Sequence, residues 1–326
     1  MKATARAHTN IALIKYWGKR DEQLFLPMNN SISITLDRFY TTTSVTFRDD
    51  LQADVFVLDG KELGGDELGK ISRFLDLVRR TANYRGFAIV DSLNDVPTAA
   101  GFASSASGFA ALAAASTKAL GFDISNEGLS ILARQGSGSA SRSIYGGYAE
   151  WHKGVRQDGT DSFATQIMPE SFWDLSVLSV MVEAKQKKVL SREGMRRTVE
   201  TSPFYTGWLD SLESDLSSAR EAIHTQDFER LGTVLERNAM KMHATTLGAQ
   251  PPFLYWTGAT IDVMQAVQEM RENGILAYFT IDAGPNVKVI CQPADEDVVK
   301  MRLLQLECVR NIFPCHPGPG IQYLNT

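Results

Sequence analysis

The chain has 326 residues, 44% hydrophobic and 22% charged, with 33 Lys and Arg against 38 Asp and Glu for a net charge of −5. That is the balance of a soluble globular protein with enough chain for one large or two medium domains, and its acidity argues against nucleic acid as the main partner. No apolar run reaches the ~18 residues of a membrane span, the first residues lack the apolar stretch of a secretion signal, and Cys291, Cys308 and Cys315 form no C-x-x-C pair, so neither a disulfide framework nor a zinc site is expected and the expected setting is cytoplasmic and reduced.

In chain order, residues 1–60 read as strands. Thr41 to Phe47 is rich in Thr and Val, and Ala53 to Leu58 alternates into Asp59-Gly60, a hairpin turn. Residues 66–82 read as an amphipathic helix with Leu68, Ile71, Leu75 and Val78 on one face. Gly86 to Val90 reads as a strand. The segment Pro97-Thr-Ala-Ala-Gly-Phe-Ala-Ser-Ser-Ala-Ser-Gly108 follows, running into the alanine-rich stretch Phe109 to Leu120.

Small residues leave backbone N–H groups uncovered, and a helix start adds unpaired N–H groups and the positive end of the macrodipole. Together these make an anion site, most often for phosphate. The segment is not a Walker A loop, because Phe109 stands where that pattern needs Lys, and it is not G-x-G-x-x-G. Taken alone, it reads equally well as a Ser/Gly-rich cap on a buried helix.

Asn126 to Arg134 reads as a second helix with Ser125 as its N-cap. It ends in a second small-residue loop, Gly136 to Ser143. Strands are expected near Gly147–Trp151 and Leu175–Val182. Residues 203–245 and 258–272 read as helices, with Phe228, Leu231, Leu235 and Met242 on one stripe. Leu276 to Ile281 and Val287 to Cys291 read as strands around the turn Asp282-Ala-Gly-Pro-Asn286, and a helix near 294–306 and a short strand close the chain. The expected fold class is α+β in two domains, 1–185 and 186–326.

Four separated segments then point one way. They are Asn10-Ile-Ala-Leu-Ile-Lys-Tyr-Trp-Gly-Lys19, followed by Leu26 to Leu36; the Pro97–Gly108 loop; Arg134-Gln-Gly-Ser-Gly-Ser-Ala-Ser-Arg142; and Thr280-Ile-Asp-Ala-Gly-Pro-Asn-Val-Lys288. In this order they resemble the GHMP kinase superfamily. Lys-Tyr-Trp-Gly-Lys and Asp-Ala-Gly-Pro-Asn are similar to the signatures of its diphosphomevalonate decarboxylases. The resemblance implies a two-domain GHMP kinase-like fold with the active site in the inter-domain cleft, commonly a homodimer. It implies ATP-dependent decarboxylation of mevalonate 5-diphosphate, with Mg2+, and no nucleic-acid or membrane partner.

The same resemblance assigns residues. Asp282 would align or deprotonate the substrate's 3-hydroxyl, against the alternative that it only orders its turn. Arg142 would take the substrate carboxylate in the bidentate manner that Lys cannot copy. Lys19 and Tyr16, with Lys15 a further catalytic candidate, would meet the diphosphate end. Ser137, Ser139, Ser191 and Arg192 would be substrate-side, while Gly101, Ser104, Ser105 and Ala106 would meet the triphosphate. Trp17 reads as core, and Asn29 and Asn30 as ligand-ordering or backbone-capping. The run Lys185, Lys187, Lys188 is a solvated face or an aid to holding a polyanion. No acidic pair announces a magnesium site, and the five histidines form no catalytic set. A mevalonate-type kinase, a monophosphate decarboxylase and a non-turning-over ligand sensor share the same fold and stay open as alternatives.

Overall fold

The computed structural model describes residues 1–95, 104–182 and 189–325. Strand β1 (Lys2–Ile14) leads through a small ribbon of β2 (Lys19–Asp21) and β3 (Leu26–Pro27) into the long β4 (Ser31–Arg48). The expected hairpin is β5 (Val55–Leu58) and β6 (Lys61–Leu63); Asp59 and Gly60 take φ of +50° and +77°, the paired left-handed geometry that matches strand twist in a two-residue turn. Next come α1 (Gly65–Ala82), β7 (Phe87–Asp95), α2 (Ser104–Ala119) and α3 (Asn126–Arg134). Ser125 caps α3 by accepting the Gly128 N–H at 3.2 Å.

The Gly136–Ser143 stretch is not a loose loop. Gly138–Ile144 is a buried 3-10 helix. Its carbonyls are satisfied from neighbouring elements: Asn10 Nδ2 donates to Ser139 O at 3.0 Å and Ser130 Oγ to Ser141 O at 2.9 Å. Strands β8 (Tyr148–Trp151) and β9 (Ala164–Met168) follow.

The second half opens with β10 (Ser176–Met181), then α4 (Ser191–Thr201), α5 (Tyr205–Thr225), α6 (Phe228–Leu247), α7 (Gly258–Glu272), β11 (Ala277–Ile281), β12 (Val287–Cys291), α8 (Glu296–Leu304), β13 (Asn311–Cys315) and β14 (Gln322–Leu324). The first sheet runs β14-β1-β4-β7-β5-β6, with β8 and β9 continuing from the first half of β4; the second runs β11-β12-β10-β13. Among the described residues, the strand pairings are antiparallel except β5 with β7.

Strand β10 precedes the boundary drawn at 185/186 and pairs with both β12 and β13 in the second sheet. With Ser176 to Val180 all buried, this strand needs neighbours on both edges. The helical stretch 203–245 is two helices: Gln226 turns left-handed at φ +55° and Asp227 restarts the chain by accepting the Arg230 N–H at 3.0 Å.

Apart from Lys118 in its last turn, helix α2 is apolar or small on every side, and Ala110 to Ala115 are all buried. A helix of that kind must be enclosed, and its short side chains let β1, β4, α3 and the 3-10 helix approach closely. Helices α5 and α6 join the two sheets. Their Leu212, Leu216, Leu231 and Leu235 share one core with Leu13, Ile32 and Leu36 of the first sheet and with Tyr278 and Ile290 of the second. The stripe Phe228, Leu231, Leu235 and Met242 lies in that core. No helix among the described residues is long and apolar enough to cross a membrane.

Candidate active site

A cavity of about 850 Å³ lies between the first unit and the β11–β12 turn with α4. At its centre is an ion pair. Asp282 directly follows β11, and Lys15 directly follows β1. Lys15 Nζ donates to Asp282 Oδ1 at 2.6 Å and to Ala12 O at 2.9 Å. The Lys15 side chain is 2% exposed and that of Asp282 is 39% exposed, so the lysine is wall and the carboxylate faces the cavity.

The backbone of Lys15 is tied down on both sides. Its N–H donates to Asn238 Oδ1 at 2.8 Å, and its carbonyl accepts from Asn29 Nδ2 at 2.8 Å. Asn238 is oriented in turn by Asp215, which accepts from its Nδ2 at 2.9 Å. Asn29 and Asn30 therefore hold backbone: Asn29 Oδ1 also accepts the Trp17 N–H at 3.4 Å and Asn30 Oδ1 the Lys153 N–H at 2.8 Å.

Charge accumulates around Asp282. Burial raises its carboxyl, but Lys15, Lys288 and Arg142 outweigh that, and its pKa lies below the ordinary value. Burial lowers the Lys288 ammonium to about 8 against the pull of Asp282. Arg142, on the 3-10 helix, is 2% exposed. Its guanidinium donates to Ser31 Oγ and, at 3.3 Å, to Asn10 Oδ1. Burial lowers it to about 10, with Asp282 and Tyr16 opposing, so it stays cationic at neutral pH.

Beside this centre stands a row of hydroxyls. Ser137 Oγ donates to Ser105 Oγ at 3.4 Å and lies 3.4 Å from Ser139 Oγ. Ser105 and Ala106 sit in the first turn of α2 and line the cavity; Ser104 opens that helix but is not on the cavity wall. At the other end, Lys19 Nζ pairs with Glu22 Oε2 at 2.6 Å and lies 4.5 Å above the Phe25 ring, while the Arg192 guanidinium lies 5.2 Å from the same ring. Ser191 and Arg192 reach the cavity because α4 starts there. Tyr16 is half-buried on the cavity wall with its ring 4.8 Å from that of Trp151, and Trp17 is core. Gly101 and lysines 185, 187 and 188 lie outside the described residues.

Sequence reasoning missed three contributors. Lys288 is 1% exposed; the signal was a lysine inside the otherwise apolar strand Val287-Lys-Val-Ile-Cys291. Helix α1 was read for its apolar face, yet Lys70, Arg73 and Arg80 line the cavity from the other. Phe25, beneath two cations, carried no sequence signal, because its place is set by a left-handed φ of +55°. Among the described residues no group of three or more His, Cys, Asp or Glu is arranged to hold a metal ion.

Comparisons with known proteins agree with this geometry. The family described as diphosphomevalonate decarboxylase-like N-terminal domain matches residues 7–164, and the mevalonate 5-diphosphate decarboxylase C-terminal domain matches residues 177–316. The human diphosphomevalonate decarboxylase is 38% identical over 305 residues, covering 88% of this chain and 76% of that protein. The crystal structure of mevalonate diphosphate decarboxylase from Staphylococcus aureus superposes with a TM-score of 0.95 at 49% identity, covering 99% of this chain and 98% of that one. A structure of MDDEF in complex with MVAPP, AMPPCP and magnesium superposes with a TM-score of 0.94 at 50% identity, covering 100% and 99%. Matched over both domains, in sequence and in structure, the chain belongs to the diphosphomevalonate decarboxylase family.

Proposed function

We propose that this protein uses ATP to decarboxylate mevalonate 5-diphosphate, giving isopentenyl diphosphate, carbon dioxide, ADP and phosphate. The observation that carries the reading is the cavity itself. The carboxylate of Asp282 faces it among the cations Lys15, Lys288 and Arg142, with a hydroxyl-lined helix start on one side and Lys19 and Arg192 on another. That layout suits a substrate with a hydroxyl to be aligned between anionic ends.

In this reading the 3-hydroxyl oxygen bonds to the γ-phosphorus of ATP, ADP leaves as the γ-phosphorus–oxygen bond breaks, and the hydroxyl proton passes to solvent. The C3–O bond then breaks with its electron pair going to phosphate. The C1–C2 pair becomes the C2=C3 bond, and carbon dioxide departs. Asp282 accepts the hydrogen bond of the 3-hydroxyl and aligns its oxygen, and Lys15 holds Asp282 in place. Arg142 binds the carboxylate until it leaves. Lys19, Tyr16, Ser191 and Arg192 hold the diphosphate, while Ser137 and Ser139 bond the substrate near its reacting end. Positioning and fixed charge supply most of the catalysis in such transfers.

The start of α2, with Ser104, Ser105, Ala106 and the preceding Gly101, takes the ATP phosphates, and the cations of α1 fit the same polyanion. The carboxylates nearest the cavity are already engaged: Glu22 with Lys19, Asp282 with Lys15 and Asp76 with Arg79. Magnesium therefore fits as an ion held chiefly by phosphate oxygens and water, where it would neutralise phosphate charge. MDDEF bound to MVAPP, AMPPCP and magnesium supports this assignment of ligands. The reading includes a homodimer, which sedimentation would check.

The test is parallel release of ADP and carbon dioxide with ATP and magnesium. It is run on mevalonate 5-diphosphate, mevalonate 5-phosphate and mevalonate. One ADP per carbon dioxide from the diphosphate alone is expected. ADP without carbon dioxide would mean a kinase, and neither product would mean a ligand sensor.

A further inference from the structure

The carboxylate of Asp282 sits on a turn, and turns wander unless they are tied. This one is tied at several points. Thr260 Oγ1 donates to Pro285 O at 2.8 Å, and Asn286 Oδ1 accepts the Val182 N–H at 2.9 Å. Within it, the Gly284 N–H donates to Asp282 O at 2.7 Å. A further tie comes from His243 of α6, whose Nε2 lies 3.2 Å from the carbonyl of Ile281, the residue just before Asp282.

A carbonyl oxygen can only accept, so Nε2 carries the proton. His243 is fully buried, with its ring 4.8 Å from Trp256 and 6.2 Å from Tyr255. Its Nδ1 is buried with no hydrogen-bond partner, which leaves it bare in the neutral tautomer. Burial holds the ring neutral: it lowers the pKa to about 4, with the Ile281 bond opposing and the Lys15 charge adding to the fall. At neutral pH, His243 is therefore a fixed donor.

Five positions earlier on the same helix, Asn238 accepts the backbone N–H of Lys15. One rigid element thus grips the backbone of Lys15 and the carbonyl of the residue just before Asp282. Neither grip touches the cavity-facing carboxylate. We infer that His243 and Asn238 are positioning residues, and that α6 sets the spacing of Lys15 and Asp282 for the reaction. The inference rests on the reading of Asp282 given under Proposed function.

The test compares His243→Gln with His243→Asn, using steady-state kinetics on the full enzyme with melting curves alongside. Glutamine places an amide N–H where Nε2 stands; asparagine places it near Nδ1 and leaves the Ile281 carbonyl unpaired. Gln should keep kcat within about threefold, whereas Asn should lose about a hundredfold in kcat with both KM values little changed, since small misplacement of a reacting group costs that much. Equal kcat in the two variants overturns the inference. If Asn does not fold, His243→Met replaces it, because it matches Gln in length and differs in the donor. If Gln alone folds, or Gln too fails to fold, the bond serves folding and the positioning role is rejected. Wild-type protein that releases no carbon dioxide would sink the functional reading instead, and so would an Asp282→Asn variant that turns over normally.

Discussion

Asp282 is a carboxylate among three cations, and that setting decides what it can do. A carboxyl held below its ordinary range is a weak base, so in the proposed reaction it orients a hydroxyl better than it strips one. Lys288 is the cation that makes this testable, because it is buried, lies off the cavity lining, and the reading gives it no contact with substrate. Replacing Lys288 with Met removes one of the charges that keep Asp282 ionised. The sign follows: the folded-state carboxyl pKa rises, so the protonated form persists to higher pH. The acid limb of the kcat/KM profile should move upward, with the plateau at higher pH reduced much less. An unmoved acid limb would mean that Lys15 and Arg142 suffice. The residues that meet ligand in the proposal were legible because each sits in a dense local motif. His243 and Asn238 were not, because each acts across the fold. Asn238 and Lys15 are brought together only when α6 packs beneath β1.

At the scale of elements, α6 is the part most exposed to small changes. Gly232 lies on its buried face, and a Cβ there would stand 2.0 Å from the Tyr278 ring of β11. Alanine would gain about 1 kcal/mol of helix propensity. It would also force α6 and β11 apart, and overpacking of a rigid contact costs about 1–3 kcal/mol. Gly232→Ala should therefore destabilise the protein by up to about 2 kcal/mol in urea unfolding and lower kcat with it, since α6 ties both Lys15 and the carbonyl before Asp282. A more stable variant with unchanged kcat would refute this. The elements that sequence foretold were those whose cause is local. The Asp59-Gly60 turn, the Ser125 cap and the apolar stripe of α6 each need only a few neighbouring residues. The 3-10 helix over Gly138–Ile144 was missed because what holds it are partners on β1 and α3. Helix α4 was missed because its residues were read as a ligand segment, and they are both: its first turn forms part of the cavity wall.

Across the whole molecule, the cavity exists only if the two sheets keep their separation, and α5 bridges them. Its Arg220 forks onto Glu150 of β8, with Nε at 2.8 Å from Oε2 and Nη2 at 3.0 Å from Oε1. Glu150 is 4% exposed, and Asn30 Nδ2 adds a third hydrogen bond to it at 3.0 Å. A buried carboxylate that loses its cation is left charged in a poor solvent, which costs about 3 kcal/mol or more. Arg220 is itself a third exposed and keeps Glu213 nearby, so the lower figure applies. Arg220→Met should thus lower stability by about 3 kcal/mol, while Glu150→Gln should cost less because a neutral amide still bonds Asn30. The double variant decides the cause. If the penalty is an uncompensated charge, Glu150→Gln should return most of the stability lost in Arg220→Met, giving a coupling of about 2 kcal/mol in the cycle. If the two losses simply add, the pair is not what holds α5 to β8, and the shared apolar core of Leu212, Leu216 and Ile32 carries the bridge alone.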